Sequence, residues 1–231
     1  MRIHDLNWMQ IERYLERDDR IVLPLGSTEQ HAYLSLGTDT ILSERISVEA
    51  AEPLDVPVLP ALPYGLTPRF AAYPCSPTLT EETFHAVVCE LLESLYGQGF
   101  RRFLLVNGHG GNVSAEATAN EWAAGHETAK VRFHNWWSAP GVAEIVEGVD
   151  PDSGHAAWHE NFPWTRLPGV EMPAGRKERV DLSGVPDDPQ AVRAVLGDGC
   201  FGGPYQRPDQ DVLRVWHAGI GEIRTLLETW D

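Results

Sequence analysis

The sequence predicts an α/β fold: a single three-layer α/β/α domain over residues 1–231 with a mainly parallel central sheet. Strand-like apolar runs alternate with helix-like runs along the chain, which is typical of βαβ units. Two of those strand-like runs end directly in polar, glycine-containing segments, and ligands gather at such strand ends in an open α/β sheet. A length of 231 residues suits one substantial core.

The predicted elements follow in order from the N-terminus. We predict a helix at residues 8–16, a strand at 20–25, a helix at 40–54 and a proline-bounded strand at 56–62. The clearest helix covers 79–96, because Thr80 is a good N-cap residue and glycines follow its last turn. The remaining predicted elements are a strand at 101–106, a helix at about 113–127, a strand at 130–133 and a closing helix at 209–228. The stretch 167–190, rich in Pro, Gly and charge, is either a mobile loop or a subunit contact.

Composition excludes several classes of function. The formal net charge of −16 argues against nucleic-acid binding, which requires Lys and Arg to neutralise phosphates. No apolar run approaches the ~20 residues of a membrane span. The N-terminus lacks a signal-peptide pattern, so we expect a cytoplasmic protein. Three cysteines without C-x-x-C spacing are typical of free thiols.

The most informative stretch lies between the first predicted strand and the second helix. It holds Glu29 and His31, and Asp39 follows near the start of that helix. On an extended segment Glu29 and His31 point to the same side, because side chains alternate with period two. These oxygen and nitrogen donors suit a hydrolytic divalent metal such as Zn, Mn or Fe. Taken alone, the segment is equally compatible with a helix N-cap and two solvated polar side chains.

Two further segments carry histidines. The strand at 101–106 runs directly into Asn-Gly-His-Gly-Gly-Asn, whose glycines let the backbone turn sharply around His109. A histidine in such a turn is poorly placed for core packing. The third segment holds His155 and Glu160 beside small residues. If residue 156 onward is helical, both side chains lie near one end of that helix and face one cleft.

Together these segments resemble the creatininase family of metal-dependent amidohydrolases. The family's first motif, G-S-x-E-Q-H and then x-T-D-T, is matched at residues 26–31 and 37–40, and its second, N-G-H-G-G-N, throughout residues 107–112. The third motif, roughly H-A-G-E-x-E-T-S, is matched only at the positions of His155, Ala156 and Glu160. The resemblance implies a small-molecule amide substrate and a homo-oligomer, often a hexamer.

Besides the third motif, the chain departs from the family's loop pattern after His31 and from creatininase itself after His109. The loop after His31 is one residue shorter than the family's loop and lacks its second histidine. Gly110 and Gly111 stand where creatininase itself has an aromatic residue and a metal-binding glutamate. We therefore expect Glu160 to replace that ligand and the substrate to be something other than creatinine.

The resemblance implies two divalent metal ions per subunit, which Zn, Mn or Fe could supply. Glu29 and His109 would hold one ion, His31 and Glu160 would hold the other, and Asp39 would bridge the two.

The implied reaction is hydrolysis of a non-peptide C–N bond, in a cyclic or formyl amide, by a metal-activated water. In that reaction His155 would protonate the leaving nitrogen, and Glu160 would act as the base if it does not bind metal. Two alternatives stay open: a peptidase of short C-terminal peptides, and a catalytically silent, metal-stabilised binding or scaffold protein.

Other residues are weaker candidates. Gly110, Trp136 and Trp158 are candidates for the substrate pocket, although plain core packing is the favoured interpretation of Trp136. His134 is a reserve metal ligand. Cys75 stands at a family glycine position and has no neighbouring base to activate it as a nucleophile. The remaining histidines are predicted to be structural or surface residues: His4, His85, His126, His159 and His217.

Overall fold

The structure is a computed structural model that describes residues 1–230. Its central sheet has three parallel strands in the order β1 (Arg20–Leu25), β2 (Arg102–Asn107) and β3 (Lys130–Asn135). The strands begin level with one another, since β1 and β3 both pair with β2 along their whole length. Their carboxyl ends therefore meet at one edge of the sheet. A short antiparallel pair forms a second sheet from β4 (Arg176–Lys177) and β5 (Gly203–Pro204).

The described residues also form seven α-helices. They are α1 (Trp8–Leu15), α2 (Thr38–Ala51), α3 (Glu81–Gly97), α4 (Ala115–Ala124), α5 (Pro140–Val149), α6 (Pro189–Leu196) and α7 (Asp209–Glu228). The Thr80 hydroxyl accepts a hydrogen bond from the Thr83 amide at 3.2 Å, as expected for the N-cap of α3. No helix of residues 1–230 is long and apolar enough to cross a membrane.

Alternate side chains of the sheet pack into two separate cores. Val22 and Leu104 join a buried cluster with residues of α2, α5 and α7. Their neighbours Ile21 and Leu105 point the other way and join a second cluster with residues of α1, α3 and α4. This two-sided burial is typical of a parallel sheet between helical layers. The predicted α/β fold is confirmed.

The strand predicted at residues 56–62 is not formed. The segment runs beside β1 and makes only isolated parallel bridges, at Val58 and at Leu62. Pro57 and Pro60 have no amide hydrogen to donate, so a continuous ladder cannot develop.

Helix boundaries differ from the prediction in two ways. Helix α2 begins at Thr38 instead of residue 40, which puts Asp39 in its first turn. Helices α5 and α6 are not predicted, and α5 contains two glycines that lower helix propensity. Tertiary contacts support α5, because the Glu222 carboxylate of α7 accepts a hydrogen bond from the Gly141 amide at 2.6 Å.

Leu104 lies in the middle of the central strand and is fully buried. We expect Leu104→Ala to lower the free energy of unfolding by about 2–5 kcal/mol, because it removes packed methyl groups and leaves a cavity. Val195→Ala on α6 is the control, since Val195 is 47% exposed and should change stability by about 0.5 kcal/mol or less. Urea unfolding of both variants measures the difference, and equal losses would contradict the proposed core position of Leu104.

Candidate metal centre

The loop after β1 buries the donors of the first motif. Glu29 and His31 are each 1% exposed, and the Glu29 amide donates to the Leu36 carbonyl at 3.0 Å, which closes the loop. Asp39 lies in the first turn of α2 and is also buried. A helix N-terminus favours a negative charge, so the position of Asp39 suits a carboxylate.

His109 follows β2 in a turn that two asparagines shape. The Asn107 side chain donates to the His109 carbonyl at 2.8 Å and accepts from the His109 amide at 3.1 Å. The Asn112 side chain accepts from the Leu66 amide and donates to the Gly26 carbonyl, each at 3.0 Å. Asn107 therefore holds the turn itself, and Asn112 connects it to two other loops at the carboxyl edge of the sheet.

The two glycines after His109 have very different surroundings. A Cβ at Gly111 would lie 1.8 Å from the Leu66 carbonyl oxygen, which is too close for any side chain. A Cβ at Gly110 would meet nothing within 4 Å. The neighbouring loop therefore requires a glycine at position 111, whereas position 110 is open.

A first group of donors consists of Glu29, Asp39 and His109. The His109 Nδ1 atom is 2.9 Å from Asp39 Oδ2 and 3.3 Å from Glu29 Oε1. The three ligand atoms lie within 4.8 Å of one another. Two donors on one tetrahedral ion are about 3.4 Å apart when each is ~2.1 Å from the metal. This group therefore has the spacing to hold one divalent cation.

A second group shares Glu29 and adds His31 and His155, again within 4.8 Å. The His31 Nε2 atom is 3.0 Å from Asp39 Oδ1, and Glu160 Oε2 is 3.9 Å from the same nitrogen. Asp39 thus turns one carboxylate oxygen toward His109 and the other toward His31.

Main-chain carbonyls hold the outward nitrogens of two histidines. His109 Nε2 is 2.9 Å from the Leu66 carbonyl oxygen, and His31 Nδ1 is 3.3 Å from the Glu29 carbonyl oxygen. A proton on each of these nitrogens donates to the carbonyl and leaves the other nitrogen free as a ligand. This arrangement is typical of metal-binding histidines.

Thr67 contributes to the site without any motif signal in the sequence. Its buried hydroxyl donates to Glu29 Oε2, which leaves Glu29 Oε1 turned toward the histidines. In the sequence Thr67 lies two residues after Gly65, whose backbone packs against the Asn112 side chain in the structure.

Burial and neighbouring charges have opposite effects on the pKa values of the side chains in this cluster. Burial lowers the pKa of His31, but Asp39, Glu160 and Glu29 outweigh it and raise that pKa to about 10. Burial also opposes the charging of His109, yet Glu29 and Asp39 raise its pKa well above the ordinary value. The pKa of Asp39 is lowered, because the two imidazoles outweigh its burial. Without a metal, the cluster therefore binds protons.

Two buried atoms indicate that a cation fits this cluster. His31 Nε2 and Asp39 Oδ2 form no well-aligned hydrogen bond within residues 1–230, although an oppositely charged group lies 3.0 Å and 2.9 Å from them. Buried polar atoms with poorly met hydrogen bonding cost free energy, and a metal ion would satisfy both. The donor set of carboxylates and imidazoles accepts Zn, Mn or Fe.

The segment that starts at residue 156 is not an α-helix, so the condition stated for the third motif is not met. Ala156 has a φ of 61°, which no right-handed helix contains, and only Trp158–Glu160 form a 3₁₀ turn. The turn nevertheless brings His155 and Glu160 beside the two donor groups, with His155 Nδ1 3.7 Å from Glu29 Oε1.

The donors open onto a cleft of about 1160 Å³, which Gly110 and Trp137 also line. Trp136 and Trp158 do not line it. Trp136 is buried against Trp216, and the Trp158 indole donates to the Ser153 hydroxyl at 2.8 Å inside the core. Both are sequence candidates for the substrate pocket, but their large apolar faces are used in packing, which is the favoured interpretation of Trp136.

The structure also shows the surroundings of three residues that the sequence makes weaker candidates: His159, His134 and Cys75. His159, expected to be structural or on the surface, lines the cleft, and its buried Nδ1 has no partner within residues 1–230. His134 belongs to neither donor group, and burial lowers its pKa to about 4. Cys75 has a φ of 61°, in the left-handed region that favours glycine, which supports its interpretation as a substituted glycine position.

The contrast between the two glycines gives a matched pair of variants. We expect Gly111→Ala to lower the free energy of unfolding by about 1–3 kcal/mol, because its new methyl group would force apart Gly111 and the Leu66 main chain. Metal affinity should fall as well, since the same movement displaces His109. Gly110→Ala should leave both properties nearly unchanged. Denaturant unfolding and metal titration test this, and equal behaviour of the two variants would contradict the close approach.

The raised pKa of His31 predicts how the metal-free protein responds to pH. The pKa rises from 6.5 to about 10 on folding, so the resulting stabilisation is complete below pH 6.5 and is lost as the pH rises toward 10. We expect the melting temperature of chelator-treated protein to fall over that interval, and to fall less in His31→Gln. Calorimetry at several pH values measures both slopes, and parallel slopes would show that His31 does not bind the proton.

Comparison with known proteins agrees with the resemblance of the motifs. The family model for creatinine amidohydrolase matches residues 4–220. Creatinine amidohydrolase from Pseudomonas putida is 26% identical over 206 residues, which cover 82% of this chain and 77% of that protein. A mycofactocin precursor peptide peptidase from Mycobacterium tuberculosis is 31% identical over 150 residues, 58% of this chain and 54% of that protein.

Solved structures share the fold at low identity. A mutant creatininase complexed with creatine matches with a TM-score of 0.83 at 18% identity, covering 98% of this chain and 97% of that one. A Mn creatininase matches with a TM-score of 0.77 at 20% identity, with the same coverage of both chains. Since the family model spans nearly the whole chain, the protein belongs to the creatininase family of hydrolases.

Proposed function

We propose that this protein is a binuclear metal-dependent amidohydrolase that hydrolyses a non-peptide C–N bond in a cyclic or formyl amide other than creatinine. The observation that carries the proposal is the position of Asp39. Its two buried carboxylate oxygens face two different histidines, at 2.9 Å and 3.0 Å, beside a cleft. A carboxylate shared by two ions is the usual arrangement of a binuclear hydrolase.

One ion would be held by Glu29, Asp39 and His109, and the other by His31 with the second oxygen of Asp39. When bound, the ions would polarise the substrate carbonyl and lower the pKa of a water molecule toward neutrality. Mn in a solved creatininase supports divalent metal in this protein.

The chain's own residues would bind the substrate and move protons. His155 and Glu160 both line the cleft beside the donors. The family motif gives His155 the role of protonating the leaving nitrogen and Glu160 the role of completing the second ion's ligands. Glu29 and His31 are each 1% exposed, so their side chains are shielded from bulk water.

The alternative of a catalytically silent binding or scaffold protein depends on where the Glu160 side chain points. A Glu160 side chain turned away from the centre would favour a binding or scaffold protein. Its carboxylate instead lies 3.9 Å from His31 Nε2, and this position supports the enzyme.

The size of the cleft supports a bulky or extended substrate. Its volume of about 1160 Å³ exceeds the range of about 300–1000 Å³ that is common for small-molecule sites. Position 110 adds open space, since no atom lies within 4 Å of a Cβ there. Short peptides are therefore a second candidate substrate class, and the 31% identical peptide peptidase supports it.

Metal analysis and a substrate panel test the proposal. Protein purified without chelator, or reconstituted with Zn, Mn or Fe, should bind about two equivalents. Asp39→Ala should lose metal because it removes the shared carboxylate. Asp181→Ala is the control: Asp181 is exposed and belongs to neither donor group, so this variant should retain the metal.

Cyclic ureides, lactams, formamides and C-terminal dipeptides form the substrate panel. Absence of metal after reconstitution, or normal binding by Asp39→Ala, would contradict the proposal.

Creatinine should be a poor substrate. Gly110 and Gly111 provide neither a stacking face nor a ligand, and the main chain of Leu66 leaves no room for a side chain at position 111. A loss of ~4 kcal/mol in transition-state binding lowers the rate about a thousandfold. Steady-state assays with creatinine measure this, and turnover on the order of 1–1000 per second would contradict the prediction.

A further inference from the structure

We propose that His155 and Glu160 exchange the roles that the family motif gives them. His155 binds the second ion through Nδ1, and Glu160 transfers the proton. The inference rests on the proposed function, since it concerns the ligands of the same binuclear centre.

His155 satisfies the spacing of a ligand. One ligand atom from each of His155, His31 and Glu29 lies within 4.8 Å of the other two, and His155 Nδ1 is 3.7 Å from Glu29 Oε1. The rings of His31 and His155 are 4.3 Å apart between centroids and inclined by 50°, so the two imidazoles are direct neighbours. Glu160 belongs to neither donor group of residues 1–230.

The Nε2 atom of His155 lies against a main-chain carbonyl, as do the outward nitrogens of His31 and His109. His155 Nε2 lies 2.9 Å from the Gln30 carbonyl oxygen and can donate its proton there. Gln30 Nε2 lies equally close; it donates one proton to the Gly199 carbonyl at 3.1 Å, and its second proton can be accepted by His155 only in the tautomer with the proton on Nδ1. Metal binding through Nδ1 requires the other tautomer, in which the proton on Nε2 leaves the Nδ1 lone pair free for a cation. Three imidazoles thus point one free nitrogen at the centre and hold the other against a main-chain carbonyl.

Two aromatic rings fix the orientation of His155. Phe70 stacks on it at 5.0 Å between centroids with 28° between planes, and Phe201 lies at 5.2 Å. A side chain held by packing against two aromatic rings is preorganised as a ligand, because little freedom is lost when the metal binds.

Glu160 is placed for proton transfer instead. Its Oε2 accepts a hydrogen bond from the Ala156 amide at 2.6 Å, and its side chain lies on the cleft wall. Glu160 would take a proton from the attacking water as the C–O bond forms. It would give that proton to the nitrogen as the C–N bond breaks, so that the carboxylate is regenerated.

Metal stoichiometry separates the two assignments without an activity assay. We expect Zn-reconstituted His155→Ala to hold about one equivalent, and Glu160→Gln to hold about two, like the wild type. Added imidazole should restore the second ion to His155→Ala. His159→Ala is the matched control, because His159 is a neighbouring cleft histidine outside both donor groups, and it should hold two. Circular dichroism verifies that each variant is folded.

Every other pattern contradicts the exchange. Retention of both ions by His155→Ala, or loss of one by Glu160→Gln, would overturn it. X-ray absorption of the Zn-loaded wild type covers the case in which His155→Ala does not fold: three imidazoles shared by two ions are expected, and two would overturn the inference. Failure of the wild type to bind two ions would instead count against the proposed function.

Discussion

The close approach of the Leu66 main chain to the turn after β2 is the constraint on which the centre depends. The Leu66 carbonyl fixes the outward nitrogen of His109, and the next residue, Thr67, binds Glu29. Asn112 ties the same segment to the loop after β1. Because the backbone occupies the space beside Gly111, no side chain there can bind a metal. One main-chain segment thus orients two ligands and excludes another.

The metal centre consists of ionisable side chains that are buried away from water, and this burial determines what they bind. Carboxylates and imidazoles at 1% to 6% exposure are costly to bury unless each has a partner. In the absence of metal those partners are protons, and this is why the pKa values of His31 and His109 rise. Protons and divalent cations therefore compete for the same atoms, and metal affinity should increase with pH.

The sequence predicts the sheet edge and the donors, because each follows directly from local patterns. Strands β1 and β2 end in polar motifs, so Glu29, His31 and His109 could be assigned to one edge before any coordinates. Long-range contacts account for what was not predicted. Thr67 donates a hydrogen bond to Glu29, which is distant in sequence. Trp136 packs in the core against Trp216, a contact that no local sequence pattern indicates. The single-domain organisation, the hexamer and the cytoplasmic location stay predictions.

The metal-binding side chains come from chain segments that are far apart in sequence. We therefore expect the chain to fold first and to bind metal afterwards. Asp39 and His109 are neighbours because β1 pairs with β2, and the two apolar cores hold α2 and α3 on opposite faces of that sheet. An ion therefore meets a centre that the two apolar cores have already assembled, unlike the ion of a zinc finger, which organises its own domain. Metal would add stability by mass action on a completed fold. A cell lacking metal would accordingly accumulate folded protein that is ready to be loaded.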